Sequence, residues 1–366
     1  MKKELFIHSF KSILPIHSQP QDETVEWTLN AHLRSFRESG NEVGLEMERN
    51  LRRYTLNSKY IQQRYFECDD INENWDEHEI YKITSSNPAG ESIGKRNAIF
   101  ESKSRRIFQE LYPDSGPNHI VHVTCTGYVS PDPVQIHFSR FENAPSITHA
   151  YHMGCYASLP AIRMAMGLSL LESNSVDVVH TEMCSLHLNP SLHTPEQMIV
   201  QTLFADGHIK YSVGTEKKGF KVLSILEKII PDSLVDMTWI PDSYGMKMTL
   251  SRAVPTKIKD NLPAFIDELC QKAGFKREEI LRDGIFAIHP GGPKIIEAVQ
   301  KKLELSDEQV RVGKEVLFTR GNMSSATLPH VWELLLKSKT HKGRKVLSLA
   351  FGPGLTIFGA IFEVEQ

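Results

Sequence analysis

Residues 285–303 read IFAIHPGGPKIIEAVQKKL. The run Ile285–Ile288 is short, apolar and suited to a buried strand. It enters His289-Pro290-Gly291-Gly292-Pro293, a cluster of glycine and proline that ends any regular element. A helix is expected from Lys294 to Leu303. A strand feeding through a tight turn into a helix is the repeating unit of layered α/β folds.

The same unit recurs on either side. Downstream, Ser306 and Gln309 form a capping-box signature for another helix, and Leu328–Lys337 reads as helix. Lys345–Phe351 and Ile357–Glu363 read as strands joined at Gly352-Pro353-Gly354. Upstream, residues 257–273 are helical, with Ile258, Leu262, Phe265, Ile266 and Leu269 on the apolar side. In the first half, His119–Cys125 and Val176–Leu188 read as strands, with a helix over Tyr156–Leu171 between them. Leu5–Phe10 reads as a strand, and residues 23–38 and Ile99–Tyr112 as helices. Residues 57–95 are polar and read as peripheral. The fold class is therefore α/β, and the boundary between halves falls near 218–232, giving 1–222 and 223–366.

Composition narrows the function. Of 366 residues, 42 are Lys or Arg and 45 Asp or Glu, a net charge of −3. No bulk attraction to nucleic acid or to an anionic membrane follows. The longest apolar stretch, Val346–Phe362, is broken by Gly352, Pro353 and Gly354, which argues against membrane insertion. The N-terminal stretch meets His8, Lys11, Pro15 and His17 early and does not read as a secretory signal. Five cysteines, widely spaced and without a CxxC pair, fit a reduced cytoplasm rather than a disulfide framework. His187 and His193 lie near Cys184, but their spacing matches no standard zinc pattern. They read as exposed loop histidines, and no metal is expected.

Four features carry chemistry. Met153-Gly154-Cys155-Tyr156-Ala157-Ser158 opens a helix, where unpaired backbone N–H groups and the helix dipole favour a thiolate; a buried cysteine that is simply a small hydrophobe is the plainer reading. His289 sits at a strand end in a glycine-rich turn, aimed at a cleft or merely part of the turn. Asn322, in Gly321-Asn322-Met323-Ser324-Ser325-Ala326, precedes a helix and reads first as an N-cap. Gly352 and Gly354 form a tight turn whose amides could approach a reacting carbonyl.

Taken in order, GCYAS (154–158), LFADG (203–207), HPGGP (289–293), GNMSSA (321–326) and AFGPGLT (350–356) resemble the motif series of the chalcone synthase-like, type III polyketide synthases. These are condensing enzymes of the thiolase superfamily. The resemblance covers roughly residues 95–360. The segments TGYVSPDP at 126–133 and VVHTEMCSLHLNP at 178–190 resemble divergent bacterial members.

The resemblance implies a five-layer αβαβα thiolase-like fold with two pseudo-repeated halves, and a homodimer. It places the nucleophile at Cys155 in the first half and the catalytic histidine and asparagine at His289 and Asn322 in the second. Phe204 falls on the gatekeeper phenylalanine and Met248 on a second gatekeeper. Glu182 is a possible helper base or a buried ion-pair partner. The activity implied is acyl transfer to Cys155, then decarboxylative Claisen condensation with a malonyl thioester, giving a polyketide or alkylpyrone-type product. Alternatives are non-decarboxylating condensation of two β-ketoacyl thioesters and, more remotely, an idle acyl-binding subunit. No cofactor is implied. Substrates would arrive as acyl-CoA and malonyl-CoA or on an acyl carrier protein. The stretch 57–65 carries glutamines where plant members have CoA-binding lysine and arginine, which leaves room for carrier-protein delivery.

Overall fold

A computed structural model describes residues 3–42 and 45–365. The first half runs β1 (Phe6–Ile13), β2 (His17–Pro20), α1 (Gln21–Glu38), α2 (Leu45–Arg53), β3 (Gln63–Phe66), α3 (Ile93–Leu111), β4 (His119–Thr124), α4 (Pro133–Phe138), β5 (Ser146–Tyr151), α5 (Ser158–Glu172), β6 (Val176–Met183), α6 (Pro195–Leu203) and β7 (Asp206–Gly214). The second runs β8 (Phe220–Ile229), β9 (Met237–Asp242), β10 (Gly245–Leu250), α7 (Val254–Ala273), α8 (Arg277–Asp283), β11 (Ile285–Ile288), α9 (Pro293–Leu303), α10 (Asp307–Arg320), α11 (Thr327–Leu336), β12 (Lys345–Gly352) and β13 (Thr356–Val364). The division written at 222/223 lies inside β8.

Nine of these strands form one sheet, in the order β11-β12-β13-β8-β1-β7-β6-β4-β5. Each half repeats one pattern. A parallel pair (β4 and β6; β11 and β12) is followed by an antiparallel neighbour (β7; β13), which pairs antiparallel with the first strand of its half. The halves join where β1 meets β8, Phe6 opposite Lys221 and Ile7 opposite Phe220.

The strands are buried on both faces, so they are nearly continuous apolar runs rather than alternating ones. Their two faces still pack into different cores. Along β12, Val346 and Ala350 join a central core with Trp332, Ala161 and Ile162. Leu347, Leu349 and Phe351 join an outer core with Ile258, Phe265 and Val299. Val121 and Val123 of β4 face the central core, and Ile120 joins Phe100 and Phe108 on the far side. Helices α5 and α11 thus lie between the two half-sheets, with α3 outside one and α7, α9 and α10 outside the other. The result is five layers.

Two local expectations change. Residues 57–95 are not peripheral: Arg64, Glu67, Asp70, Ile80 and Tyr81 are buried. Asp70 accepts hydrogen bonds from three successive backbone N–H groups, those of Glu79, Ile80 and Tyr81. Polar residues used inside the molecule are invisible to a hydrophobicity pattern. Likewise Val176–Leu188 is not one strand, because β6 stops at Met183 and Cys184–His187 forms a 3-10 turn.

Candidate active site

The turn that carries Cys155 leaves β5 through two residues with left-handed backbone, His152 (φ 62°) and Gly154 (φ 84°). The Gly154 N–H donates to Cys125 Sγ at 3.0 Å. Glycine is required at 154 for a second reason: a Cβ there would stand 2.5 Å from Pro353 Cδ. A Cβ on Gly352 would lie 2.0 Å from the Tyr156 ring. Two distant motifs therefore interlock through their missing side chains. Of the expected oxyanion loop, Gly352 and Pro353 are placed against the Cys155 turn, and Gly354 lies against Thr356.

Asn322 is held by a different device. Its backbone bridges the LFADG segment: Asn322 N–H donates to Leu203 O (3.1 Å) and Ala205 N–H to Asn322 O (2.9 Å). Its side-chain Oδ1 accepts from Ser324 N–H at 2.9 Å, a bond within the turn; Asn322 is not the N-cap expected, since Met323 precedes the 3-10 turn and Ala326 precedes α11. The amide Nδ2, however, is buried without a partner. Gly207 supports the same turn, since a Cβ there would fall 2.4 Å from Met323 Sδ. Arg64, fully buried, donates to Phe204 O (2.8 Å) and Gln201 O (3.0 Å). The sequence placed this arginine on a possible CoA-facing stretch; it is instead a clamp beneath Phe204.

His289 ends β11, its N–H donating to Leu349 O at 2.7 Å. The ring is 1% exposed and neither nitrogen has a partner. Burial pushes its pKa down to about 3, so the imidazole is neutral. Enclosure pushes the Cys155 thiol up to about 12; Ser324, its own backbone N–H and Asn322 oppose this without overcoming it. The lowered thiol expected from a helix N-terminus is thus not the resting state. Helix α5 begins only at Ser158, and desolvation outweighs its dipole.

One cavity lies at Cys155, and neither His289 nor Asn322 is in its lining. It is lined by Cys155 with Phe204 and Met248, both expected, by Cys125, Cys184, Ser324 and Pro353, which lie in segments the sequence singled out, and by Met237, Thr238 and Trp239, which pattern reading did not find. About 20 Å³ of it is free, room for roughly one water. The hairpin β9–β10 forms its wall, tied down where Trp239 Nε1 donates to Cys125 O at 2.7 Å. His187 ties it too. Its Nδ1 accepts from Met246 N–H (3.0 Å), so Nε2 carries the proton and donates to Thr126 O (2.8 Å). This histidine is buried, not an exposed loop residue, and His193 is half-buried against His32. Among the described residues no group of His, Cys, Asp or Glu is arranged to hold a metal.

Glu182 lies at the end of β6 with both oxygens occupied. Oε2 accepts from Cys125 N–H and Thr126 Oγ, each at 3.0 Å; Oε1 accepts from Ser325 Oγ and from Ser325 N–H at 3.3 Å. It ties the Cys125 loop to the Asn322 turn. Burial raises its pKa.

Comparison with known proteins agrees with this architecture. Residues 221–364 match the family of chalcone and stilbene synthases, C-terminal domain. The chain is 31% identical over 272 residues, 70% of its length, to "Probable polyketide synthase 1" of Dictyostelium discoideum, and spans 8% of that protein. It is 28% identical over 224 residues, 58% of each chain, to "Type III polyketide synthase C" of Arabidopsis thaliana. Thus it spans less than two thirds of these curated relatives. Among solved structures it superposes on the C-terminal type III polyketide synthase domain of Steely1 from Dictyostelium with a TM-score of 0.83 and 24% identity, covering 99% of this chain and 100% of that one. For PKS-I of the brown alga Ectocarpus siliculosus the values are 0.84, 20%, 100% and 99%. At these identities the superpositions establish the thiolase-like fold.

Proposed function

We propose that this chain, a homologue of the type III polyketide synthases, is a ketosynthase that loads an acyl group on Cys155 and extends it by Claisen condensation with a malonyl thioester. The observation that carries this reading is a pair of unused donors, the neutral ring of His289 and the Nδ2 of Asn322, buried without partners. An unpaired buried donor costs about 1–3 kcal/mol. A substrate thioester oxygen would satisfy both.

In the first step Cys155 Sγ attacks the starter's carbonyl carbon as its thiol proton leaves. An S–C bond forms, the bond to the carrier sulfur breaks, and the departing carrier thiolate takes that proton. In the second, the malonyl carbonyl oxygen rests on His289 and Asn322. The bond to the carboxylate breaks, CO₂ departs, and its electron pair becomes an enolate stabilised by the two donors. The enolate carbon then attacks the Cys155-bound acyl carbon and expels the Cys155 thiolate. No cofactor is needed, and His289 donates throughout without abstracting a proton.

Non-decarboxylating condensation of two β-ketoacyl thioesters would need a base, and Glu182 is poorly placed for it with both oxygens engaged. For delivery, Lys59 is the exposed cation within 57–65, which favours a carrier protein at least as well as CoA. We read the assembly as a homodimer formed at the edge strand β5, working in the cytoplasm. No described helix is long and apolar enough to cross a membrane.

The test is intact-protein mass spectrometry with acyl-CoA and acyl-carrier thioesters, followed by assay of CO₂ release from malonyl thioesters. Wild type should gain an acyl mass that Cys155→Ala does not, and then release CO₂. Absence of both with every donor would defeat the reading.

A further inference from the structure

Helix α6 ends at Leu203, and the chain then turns through Phe204 to meet the Asn322 turn. The last carbonyls of a helix have no partner inside it, and that end carries partial negative charge. α6 has no basic residue of its own in its last turn. The cation comes from another element: Arg64, on β3, donates from Nη1 to Gln201 O (3.0 Å) and Phe204 O (2.8 Å). Its Nε donates to Gln21 Oε1 at 2.7 Å, and the Gln21 amide in turn donates to Thr202 O at 2.8 Å. The stem of Arg64 packs against the other side of the same junction. A Cβ on Gly321 would stand 3.2 Å from Arg64 Cγ, from Ala205 Cβ and from Leu203 O. Gly321, at φ 74°, leads directly into Asn322.

One side chain therefore underlies both segments of the Phe204–Asn322 bridge, its head through Phe204 O and its stem through Gly321. The consequence falls on Asn322 Nδ2. Asn322 Oδ1 accepts from Ser324 N–H (2.9 Å) and the Thr327 hydroxyl (3.3 Å), but these partners are close in the chain, so the place of the whole turn decides where Nδ2 points. On its far side that turn is held by Glu182, through Ser325. On the Asn322 side it is held at this junction. Arg64 is fully buried, and burial pushes its pKa down to about 9 against the attraction of Asp206, so it stays charged at neutral pH. Taking a cation out of water is costly, and an apolar side chain of similar length would fill the space at less cost. What arginine adds is a planar fork that spans Gln21, Gln201 and Phe204 at once.

We propose that Arg64 is a positioning residue for the condensation: it fixes the Phe204 and Asn322 segments against each other and so sets where Asn322 Nδ2 stands for the enolate oxygen. The inference rests on the ketosynthase reading and adds to it a residue that touches no substrate.

The experiment is a double-mutant cycle on CO₂ release from malonyl thioester, with Arg64→Met, Asn322→Ala and both together. Acyl loading of Cys155 and urea unfolding are measured alongside. Arg64→Met should slow CO₂ release about 10²-fold, the scale of a misplacement of about 1 Å, and acyl loading less. In the Asn322→Ala background the same change should add less than about twofold, because the residue it acts through is gone. Full additivity would overturn the proposal. So would equal losses in loading and CO₂ release, or no loss in a folded Arg64→Met protein. Should Arg64→Met not fold, Arg64→Lys replaces it: one ammonium cannot span the three acceptors, so the same split should appear at about tenfold, and its absence counts against the proposal equally. A wild type that releases no CO₂ from any malonyl thioester sinks the ketosynthase reading and the inference with it. Wild-type turnover matched by the Arg64 variants sinks the inference alone.

Discussion

The turn before α5 and the turn before α11 occupy the same place in the two halves, yet they are built by opposite means. In the first half, β5 precedes the turn and Cys155 stands at its start. In the second, no strand among the described residues corresponds to β5, and Phe204 and Asn322 form an isolated bridge. The Cys155 turn is set by close packing, Gly154 on Pro353 and Tyr156 on Gly352. The Asn322 turn is set by hydrogen bonds, through its backbone to Leu203 and Ala205 and through its Oδ1 to Ser324. On the proposed reading a nucleophile needs a fixed position and an open approach, which packing supplies with one side-chain hydrogen bond, from Gly154 N–H to Cys125 Sγ. A donor pair needs one side-chain atom left over, and the asparagine spends its oxygen on the fold while keeping its nitrogen free.

The largest test of this contrast is Asn322→Ala. Losing one preorganised donor should cost about 10²–10³-fold in CO₂ release from malonyl thioester, while acyl loading of Cys155, whose thiolate Asn322 favours more weakly, should fall less. Equal loss in both steps would mean that Asn322 supports the nucleophile rather than the enolate. The packing side is probed by two glycine variants. Gly154→Ala combines a clash against the Pro353 ring with positive φ and should destabilise by about 2–3 kcal/mol. Gly207→Ala would meet Met323 Sδ at 2.4 Å, which can move, and its Cβ at 2.8 Å, which cannot, and should cost about 1–2 kcal/mol. Urea unfolding of both would show whether the rigid contact matters more, and a reversed order would break the comparison.

Acid supplies the finest probe. An unfolded histidine takes its proton near pH 6.5, and folded His289 resists until about 3. Between those values the unfolded chain binds more protons, so stability is complete above about pH 6.5 and lost as pH falls toward 3. Each such histidine contributes a slope of up to about 1.4 kcal/mol per pH unit. His32, His187 and His330 are depressed likewise. His289→Asn should flatten the decline by one group's share, measured as denaturation midpoint against pH. An unchanged slope would show that His289 is protonated in the folded state.

Several motif glycines were legible because their type admits few readings. Gly154, Gly207, Gly352 and Gly354 each stand where a side chain would clash or the backbone turns left-handed. The elements between them were also legible, since β12 and β13 follow their apolar runs to within a residue or two. What escaped was polar and remote. Arg64 looked like surface charge and is a buried clamp; His187 looked exposed and ties the cavity wall; Trp239 sits in a hairpin with no motif of its own. Each acts on a segment tens of residues away, and no local period reports such a contact.

By itself, then, the sequence determined the alternation of strands and helices and the places of the glycine-rich turns. These depend on side-chain type and spacing along the chain. Tertiary structure alone decided the protonation of the site and the shape of its cavity. Cys155 lies near a helix start in any fold of this sequence. Whether it is a thiol or a thiolate depends on how much water the facing walls remove, and those walls come from the turn after β6, from β9 and β10, and from the Asn322 turn.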